Sequence, residues 1–286
     1  MNREYHQWWS ERLQRNMELL VFGHAGAKVL VFPSRLGRFY EYEKLGLVHS
    51  LKDKLEQGHL QLYCVDSIDA ESFYCAWAHP SGRIRRHREF EEYILNEVLP
   101  FMQNKNPHEC VISHGLSLGA FHAANITFRY PHLFKKLVAF SGRYDLTLNV
   151  EHFNDLFEGY YNEDIYFHTP THFMPNMDCD WRLSHLRAMD ITLVIGKEDP
   201  FLQNNQHLSA ILSQKDIKHQ MPVWEDRAHS GLLGRNAVVP GCPRAGSESL
   251  VERRQCQSHL LGRAGVDLLS SLQDQPGGPR LEYLVE

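Results

Sequence analysis

The strongest structural signal in the chain is the segment Cys110-Val111-Ile112-Ser113-His114-Gly115-Leu116-Ser117-Leu118-Gly119-Ala120-Phe121. It contains a Gly-x-Ser-x-Gly core, preceded by an apolar run typical of a strand and followed by a helical pattern. In this context the serine lies on a tight strand-to-helix turn whose flanking positions have room only for hydrogen, which requires Gly115 and Gly119. The pattern predicts a nucleophile elbow with Ser117 exposed at the start of a helix. A glycine-rich packing turn is the alternative.

The rest of the chain alternates short strand-like runs with helical patterns, which predicts an α/β fold with a mostly parallel central sheet and helices on both faces. The length of 286 residues and the 43% hydrophobic content favour one main domain. The neighbouring runs 17–22 and 28–32 suggest an antiparallel start to the sheet. The predicted strands are 17–22, 28–32, 60–65, 109–113, 136–141, 191–195 and 220–225, and the predicted helices are 45–57, 87–104, 120–130 and 203–214.

Two stretches depart from this alternation. Residues 146–190 are rich in Phe, Tyr, His and Asn, and an excursion of that length predicts a lid or a wall of the binding pocket. After residue 229 the composition turns to Gly, Pro, Arg and Ser, and only 250–272 keeps a helical spacing. We therefore expect a catalytic domain over residues 1–229 and an atypical tail over residues 230–286.

Composition and charge exclude several classes of protein. The net charge of -5 and the lack of a long basic run argue against a nucleic-acid partner. The basic cluster 83–88 is interpreted as the solvated entry of a helix. With no signal peptide and no apolar run of about 20 residues, the sequence predicts a soluble, cytoplasmic protein without a membrane partner. The six cysteines have no close pairing and are interpreted as buried free thiols.

A serine nucleophile needs a base and an acid that orients the base, and after an elbow the acid precedes the histidine in the chain. The buried run 191–195 ends in the polar turn that contains Glu198 and Asp199, with Pro200 directly after them. Asp199 is the preferred acid, while Glu198 or a merely structural turn aspartate stays open. His229 follows the next predicted strand and is the preferred base. Asp226, in the turn before it, is a less favoured acid than Asp199.

Acyl transfer also needs donors for the oxyanion. The backbone N–H of the residue after the nucleophile supplies one, which here is Leu118. The second should come from the loop 33–40 after the early strand. Arg35 is the preferred residue, with Ser34 and Leu36 as open alternatives. Since a backbone donor leaves no side-chain signature, a plain polar turn is also consistent with this loop.

Other motifs are weak. His168 and His172 have the spacing of a helical metal pair, but Pro170 between them argues against one, so no metal is predicted. The glycines at 23–26 and 115–119 match neither the phosphate-loop nor the dinucleotide pattern, so no nucleotide is implied.

With these residues in hand, the chain resembles the esterase family of α/β-hydrolases that includes esterase D-like and enterochelin esterase-like enzymes. The resemblance covers about residues 8–229. It is carried by the elbow and by the segments Val31-Phe32-Pro33-Ser34, Gly37-Arg38-Phe39-Tyr40-Glu41, Ser141-Gly142-Arg143-Tyr144-Asp145 and Gly196-Lys197-Glu198-Asp199-Pro200. It implies a serine carboxylic ester hydrolase with Ser117, Asp199 and His229 as its triad and with no cofactor.

One departure concerns the tail. Relatives usually continue past the catalytic histidine with an Asp-Trp pair and a short helix, whereas this chain reads Ser230-Gly231-Leu232-Leu233-Gly234. A genuine extension and a shifted reading frame both account for this.

We expect an esterase that acts on small, uncharged acyl esters. A homo-oligomer is compatible with the sequence. A thioester hydrolase similar to S-formylglutathione hydrolase, or a non-catalytic binding protein that keeps the fold, is the alternative.

Overall fold

The computed structural model describes residues 1–225. His229, the tail 230–286 and the predicted helix 250–272 therefore lie outside the described residues. Within residues 1–225 the strands are β1 (Arg3–Ser10), β2 (Arg15–Phe22), β3 (Ala27–Phe32), β4 (Leu60–Val65), β5 (Val111–Leu116), β6 (Lys136–Phe140), β7 (Asp190–Gly196) and β8 (Val223–Trp224). These eight strands form one sheet in the order β1-β2-β4-β3-β5-β6-β7-β8.

The sheet is mostly parallel, as predicted. All pairs from β4 through β3, β5, β6 and β7 to β8 are parallel, while β1 and β2 add an antiparallel edge. The predicted antiparallel start is confirmed by the pairs β1–β2 and β2–β4, but the runs 17–22 and 28–32 do not pair with each other, because β4 lies between β2 and β3. Their short connection passes over the start of β4 so closely that a Cβ on Gly26 would lie 2.2 Å from the carbonyl carbon of His59.

Helices cover both faces of the sheet. Alternate residues of β3 point to opposite sides, with Val29 and Val31 in one hydrophobic cluster and Leu30 and Phe32 in another. The helices are α1 (Glu41–Lys44), α2 (Leu47–Ser50), α3 (Lys52–Glu56), α4 (Pro80–Tyr93), α5 (Leu99–Lys105), α6 (Leu118–Arg129), α7 (Glu163–Phe167), α8 (Pro170–Phe173), α9 (Asp180–Arg187) and α10 (Leu202–Gln214). The cluster of Val29 and Val31 includes residues of α1–α3, and the cluster of Leu30 and Phe32 includes residues of α4, α6, α9 and α10.

Several predicted elements differ from the observed ones. Strand β1 was not predicted, and the helix predicted over 45–57 is three short helices. The helix predicted over 87–104 begins at Pro80, and a π-helical turn at Ile94–Val98 joins α4 to α5. The last strand is confined to Val223–Trp224 instead of 220–225.

The interpretation of residues 83–88 as a solvated helix entry is wrong for two of them. Arg83 and His87 lie inside α4 and are buried. The Nε of Arg83 donates to the carbonyl oxygen of Cys75 at 2.9 Å, and its Nη1 donates to that of Leu156 at 3.0 Å. The Arg83 guanidinium can be buried because it donates hydrogen bonds to backbone carbonyl oxygens. Its bond to Leu156 connects α4 to the insertion 146–190.

The insertion is built from α7, α8, α9 and irregular segments, and its core is apolar. Leu156, Phe157 and Ile165 pack in one cluster with Leu118 and Phe121 of α6. Since Leu118 follows Ser117 directly, this contact lies beside the elbow.

Of the cysteines in the described residues, Cys64, Cys75 and Cys110 are buried free thiols as predicted, whereas Cys179 is a free thiol that is exposed. None of the described helices has the length and apolarity needed to cross a membrane.

Candidate active site

The predicted elbow lies at the junction of β5 and α6. Ser117 has φ 55° and ψ -115°, a strained backbone conformation for a residue other than glycine. Its N–H donates to the carbonyl oxygen of Phe140 at the end of β6, at 2.9 Å, which holds the turn against the neighbouring strand. Only 8% of Ser117 is exposed, so the expectation of an exposed serine is wrong.

The two glycines of the motif are required by close backbone contacts. A Cβ on Gly115 would lie 2.2 Å from the carbonyl carbon of Gly119. A Cβ on Gly119 would lie 2.3 Å from the carbonyl oxygen of Phe32 and 2.5 Å from that of Pro33. The second contact brings the loop after β3 against the first turn of α6. The elbow and the predicted oxyanion loop are therefore packed together.

The first turn of α6 presents backbone N–H groups beside the serine. The carbonyl oxygen of Ser117 accepts from the N–H of Ala120 at 3.1 Å and from that of Phe121 at 3.2 Å. The earlier N–H of Leu118 has no partner within the helix, as is general for the first residues of a helix, and the helix dipole adds partial positive charge there. This end of α6 is suited to stabilise negative charge that develops near Ser117.

The loop after β3 has three consecutive amides with different roles. The N–H of Ser34 donates to the Glu41 carboxylate at 2.7 Å, and the N–H of Leu36 donates to the Asp69 carboxylate at 2.9 Å. The N–H of Arg35, between them, has no acceptor within residues 1–225. Asp69 and Glu41 were missed by the sequence analysis, because a carboxylate that binds backbone amides has no characteristic spacing.

The side chain of Arg35 connects this loop to the insertion. Its guanidinium lies over the ring of Tyr74, 5.6 Å from the centroid, and over the ring of Phe153, 5.9 Å from the centroid. Phe153 in turn packs on Phe201 at 4.8 Å between ring centroids. Phe201 comes two residues after Asp199, so these contacts join the loops that follow β3 and β7.

Asp199 lies after β7, two strands from the elbow strand β5 and at the same carboxyl edge of the sheet. It is 4% exposed, whereas Glu198 is exposed. One Asp199 carboxylate oxygen accepts from the N–H of Phe201 at 2.9 Å, which fixes the side chain in the turn. Burial and this bond favour Asp199 over Glu198 as the acid.

The predicted base His229 lies outside the described residues, as does Asp226. The strand that leads toward it, β8, pairs in parallel with the end of β7 through Ile195–Val223 and Gly196–Trp224. The chain therefore leaves β8 at the carboxyl edge of the sheet, the edge that also holds Ser117 and Asp199.

The two histidines with metal-like spacing contact different partners. The Nε2 of His172 lies 3.0 Å from a carboxylate oxygen of Asp145, whereas His168 contacts Arg129 and lies 3.8 Å from a carboxylate oxygen of Glu91. Burial, and to a smaller degree the electrostatic effect of the neighbouring His168, His122 and Arg129, lowers the pKa of His87 well below its usual value. Within residues 1–225, no group of three or more His, Cys, Asp or Glu side chains could hold a metal ion.

A strained serine between a parallel strand and a helix, with a buried aspartate at the same edge, defines the elbow of an α/β-hydrolase. The model of the Esterase family, described as "Putative esterase", matches residues 26–241. The chain therefore belongs to the Esterase family and is a serine esterase. The match includes His229 and continues beyond it. No curated protein sequence matches the chain.

Solved structures support the fold. The chain is similar to an S-formylglutathione hydrolase from Agrobacterium tumefaciens, with a TM-score of 0.64, 13% identity and coverage of 94% of each chain. It is also similar to a fluorophosphonate-binding serine hydrolase from Staphylococcus aureus, with a TM-score of 0.61, 12% identity and coverage of 96% of this chain and 99% of the other. An enterobactin esterase from Shigella flexneri has a TM-score of 0.56 and 16% identity, with 95% of this chain and 60% of the other covered.

Proposed function

We propose that the chain hydrolyses small acyl esters through an acyl-enzyme, with Ser117 as nucleophile, His229 as base and Asp199 as the acid that orients the base. The observation that carries this proposal is the strained backbone of Ser117 at the first turn of α6. Strain of this kind persists only where surrounding contacts hold it, and it is characteristic of functional sites. Membership of the Esterase family supports ester hydrolysis as the reaction.

In the proposed reaction the Ser117 hydroxyl attacks the ester carbonyl while His229 takes its proton. The amides of Leu118 and Arg35 donate to the oxyanion of the tetrahedral intermediate. His229 returns the proton to the leaving alcohol, and Asp199 holds the imidazole in the productive tautomer. Water then attacks the acyl-enzyme by the same steps and releases the carboxylic acid. No cofactor takes part in this proposal.

Thioester hydrolysis is the second candidate. The same residues would serve, and a structure similar to this one is that of an S-formylglutathione hydrolase. Rates on an acyl-thiol and an acyl-alcohol of matched acyl group discriminate the two. A preference for the thioester in kcat/KM by more than about tenfold would favour the second candidate.

The decisive experiment replaces Ser117 by Ala and measures burst acylation with p-nitrophenyl acetate and labelling by a fluorophosphonate probe. We expect loss of labelling and a fall in kcat of about 10⁴- to 10⁶-fold with the fold intact, because the members of a triad act as one unit. Ser113→Ala is the matched control, since Ser113 lies in β5 and donates instead to the carbonyl oxygen of Ala123 at 3.2 Å. Retention of a tenth of the activity in Ser117→Ala would refute the assignment.

A further inference from the structure

The loop after β3 is held by two carboxylates that come from different parts of the fold. Glu41, at the start of α1, accepts from the N–H of Ser34 at 2.7 Å and also from its hydroxyl at 2.5 Å. Asp69, in the segment after β4, accepts from the N–H of Leu36 at 2.9 Å. Because these bonds occupy the amides on either side, Arg35 is the residue of this trio whose N–H keeps its hydrogen-bonding capacity for a ligand.

Asp69 is buried and Glu41 is partly buried, which strengthens their hold on the loop. Asp69 is 2% exposed. Burial raises the pKa of Glu41, although the bonds from Ser34 act in the opposite direction. A hydrogen bond to an ionised acceptor is roughly twice as strong as one between neutral groups, and low local polarity increases the difference. The two carboxylates therefore fix the backbone of residues 34–36.

The backbone between them is strained in a way that needs such support. Leu36 has φ 56°, in the left-handed region that side chains other than glycine rarely adopt. The turn is closed by the N–H of Gly37, which donates to the carbonyl oxygen of Ser34 at 2.8 Å. The hydroxyl of Ser67 donates to the carbonyl oxygen of Gly37 at 2.7 Å. Without the hydrogen bond from Leu36 to Asp69, a change of the Leu36 φ angle toward an ordinary negative value would lower the free energy of the loop.

Asp69 also contacts the nucleophile helix. Its second carboxylate oxygen lies 3.4 Å from the Nε2 of His122, a buried residue of α6. His122 lies four residues after Leu118, whose N–H is the other proposed oxyanion donor. One carboxylate thus bridges the loop of Arg35 and the helix of Leu118.

We infer that Asp69 is a positioning residue for ester hydrolysis: it binds the Leu36 amide and His122 at once, and so fixes the Arg35 amide relative to the Leu118 amide. This inference rests on the proposed function, and in particular on the Arg35 amide as second oxyanion donor. Glu41 supports the same loop from its other side. Such positioning acts on the transition state, because the oxyanion forms only when the carbonyl is attacked.

The test is a graded series at Asp69, assayed with p-nitrophenyl acetate. In Asp69→Asn the amide oxygen still accepts from Leu36 without a charge, and we expect kcat to fall about threefold to tenfold. In Asp69→Ala the acceptor is lost, and we expect a fall of about 10- to 100-fold, less than for the removal of a donor itself. KM should stay within about threefold in both variants, and the affinity for a boronic acid that forms a tetrahedral adduct with serine should fall in parallel with kcat.

Asp66→Asn and Asp66→Ala are the matched controls. Asp66 is 1% exposed, lies three residues earlier, and accepts from Arg38 at 2.7 Å and from the N–H of Phe39 at 3.2 Å. These variants remove a carboxylate of equal burial that binds Arg38 and Phe39 further along the same loop, so the hydrogen bonds of residues 34–36 remain in place. We expect their kcat to change by less than about threefold, whatever their effect on the melting temperature.

Three results would overturn the inference: equal loss of kcat in the Asp66 and Asp69 series, a loss confined to KM, or a wild-type kcat in Asp69→Asn. The last criterion decides the matter where Asp69→Ala fails to fold. Failure of the proposed function has a different signature, since Ser117→Ala would then remain active. A Ser117-dependent enzyme whose kcat is unchanged across the Asp69 series would refute the positioning role alone.

Discussion

Gly119 and Phe32 are in such close contact that a Cβ on Gly119 would lie 2.3 Å from the carbonyl oxygen of Phe32. This approach joins the first turn of α6 to the end of β3. Because the obstructing atoms belong to the backbone, they cannot rotate away as a side chain would. The relative position of the elbow and the loop after β3 therefore depends on the absence of a Cβ at position 119.

We predict that Gly119→Ala destabilises the protein by about 1–3 kcal/mol and lowers kcat by at least about tenfold, because the helix must move away from the loop. Gly82→Ala is the matched control, since Gly82 lies in α4 with nothing within 4 Å of an added Cβ. That variant should be neutral or stabilised by up to about 1 kcal/mol. Thermal unfolding and p-nitrophenyl acetate kinetics measure both effects; equal behaviour of the two variants would contradict the argument.

The choice between the two candidate acids has a direct test. Asp199 is buried and bonded to the N–H of Phe201, whereas Glu198 is exposed. Asp199→Asn should lower kcat by about 10⁴-fold, because the imidazole would adopt the wrong tautomer, while Glu198→Gln should stay within about threefold. Steady-state kinetics of both variants decide. A large loss in Glu198→Gln with little loss in Asp199→Asn would exchange the assignments.

The insertion should control the preference for acyl length through Phe153. This ring is half-buried between the Arg35 guanidinium and the Phe201 ring, at the edge of the sheet that holds Ser117. Phe153→Ala should shift the preferred chain length of p-nitrophenyl esters more than it changes the rate on the acetate ester. Phe167→Ala, in the same insertion but 47% exposed, should leave the profile unchanged. A uniform loss across chain lengths would assign Phe153 to core packing.

His114 in the elbow strand should make stability depend on pH. Its Nδ1–H donates to the carbonyl oxygen of Val138 at 2.6 Å, and its Nε2 accepts from the Tyr42 hydroxyl at 2.7 Å. Burial lowers the pKa of His114 from the ordinary 6.5 to about 4. Between these values the unfolded chain binds more protons, so the stabilisation is complete above the unfolded value and is lost as the pH falls toward the folded one.

The full shift in the pKa of His114 changes the free energy of unfolding by roughly 3 kcal/mol. In His114→Asn the side-chain amide can still donate to Val138, but the residue does not titrate. We therefore predict a smaller difference in melting temperature between about pH 7.5 and about pH 5 for the variant than for the wild type. Other buried histidines contribute to both proteins and cancel in the comparison. An identical pH dependence in the two proteins would show that His114 does not contribute.

The parts of the fold that followed from the sequence are those with strong local signals. The elbow was predicted because glycine is required at 115 and 119, and the parallel strands β5, β6 and β7 were predicted because they are continuously apolar. Strand β1 was missed because it is mostly polar and only half-buried. The order of β2, β4 and β3 was missed because the pairing of strands distant in sequence has no local pattern.

The candidate site divides in the same way. Ser117 and Asp199 follow from motif and order, since each comes after a recognisable strand. Asp69 and Glu41 do not, because their partners are backbone amides from distant segments. Arg83 is a further case: neighbouring charges suggested a solvated surface, but its guanidinium meets carbonyl groups that only the folded chain brings together. Burial of a charged group depends on such partners and not on composition.

Strand β1 has a consequence for the handling of the protein. It pairs along its whole length with β2, in which Leu19, Leu20, Val21 and Phe22 are fully buried. Removing residues 1–10 would leave one side of this apolar strand without hydrogen-bond partners. An unprotected strand of this composition is a template for pairing with a second copy and for aggregation. We therefore expect a protein without β1, whose charged residues include Arg3 and Glu4, to associate with itself during expression.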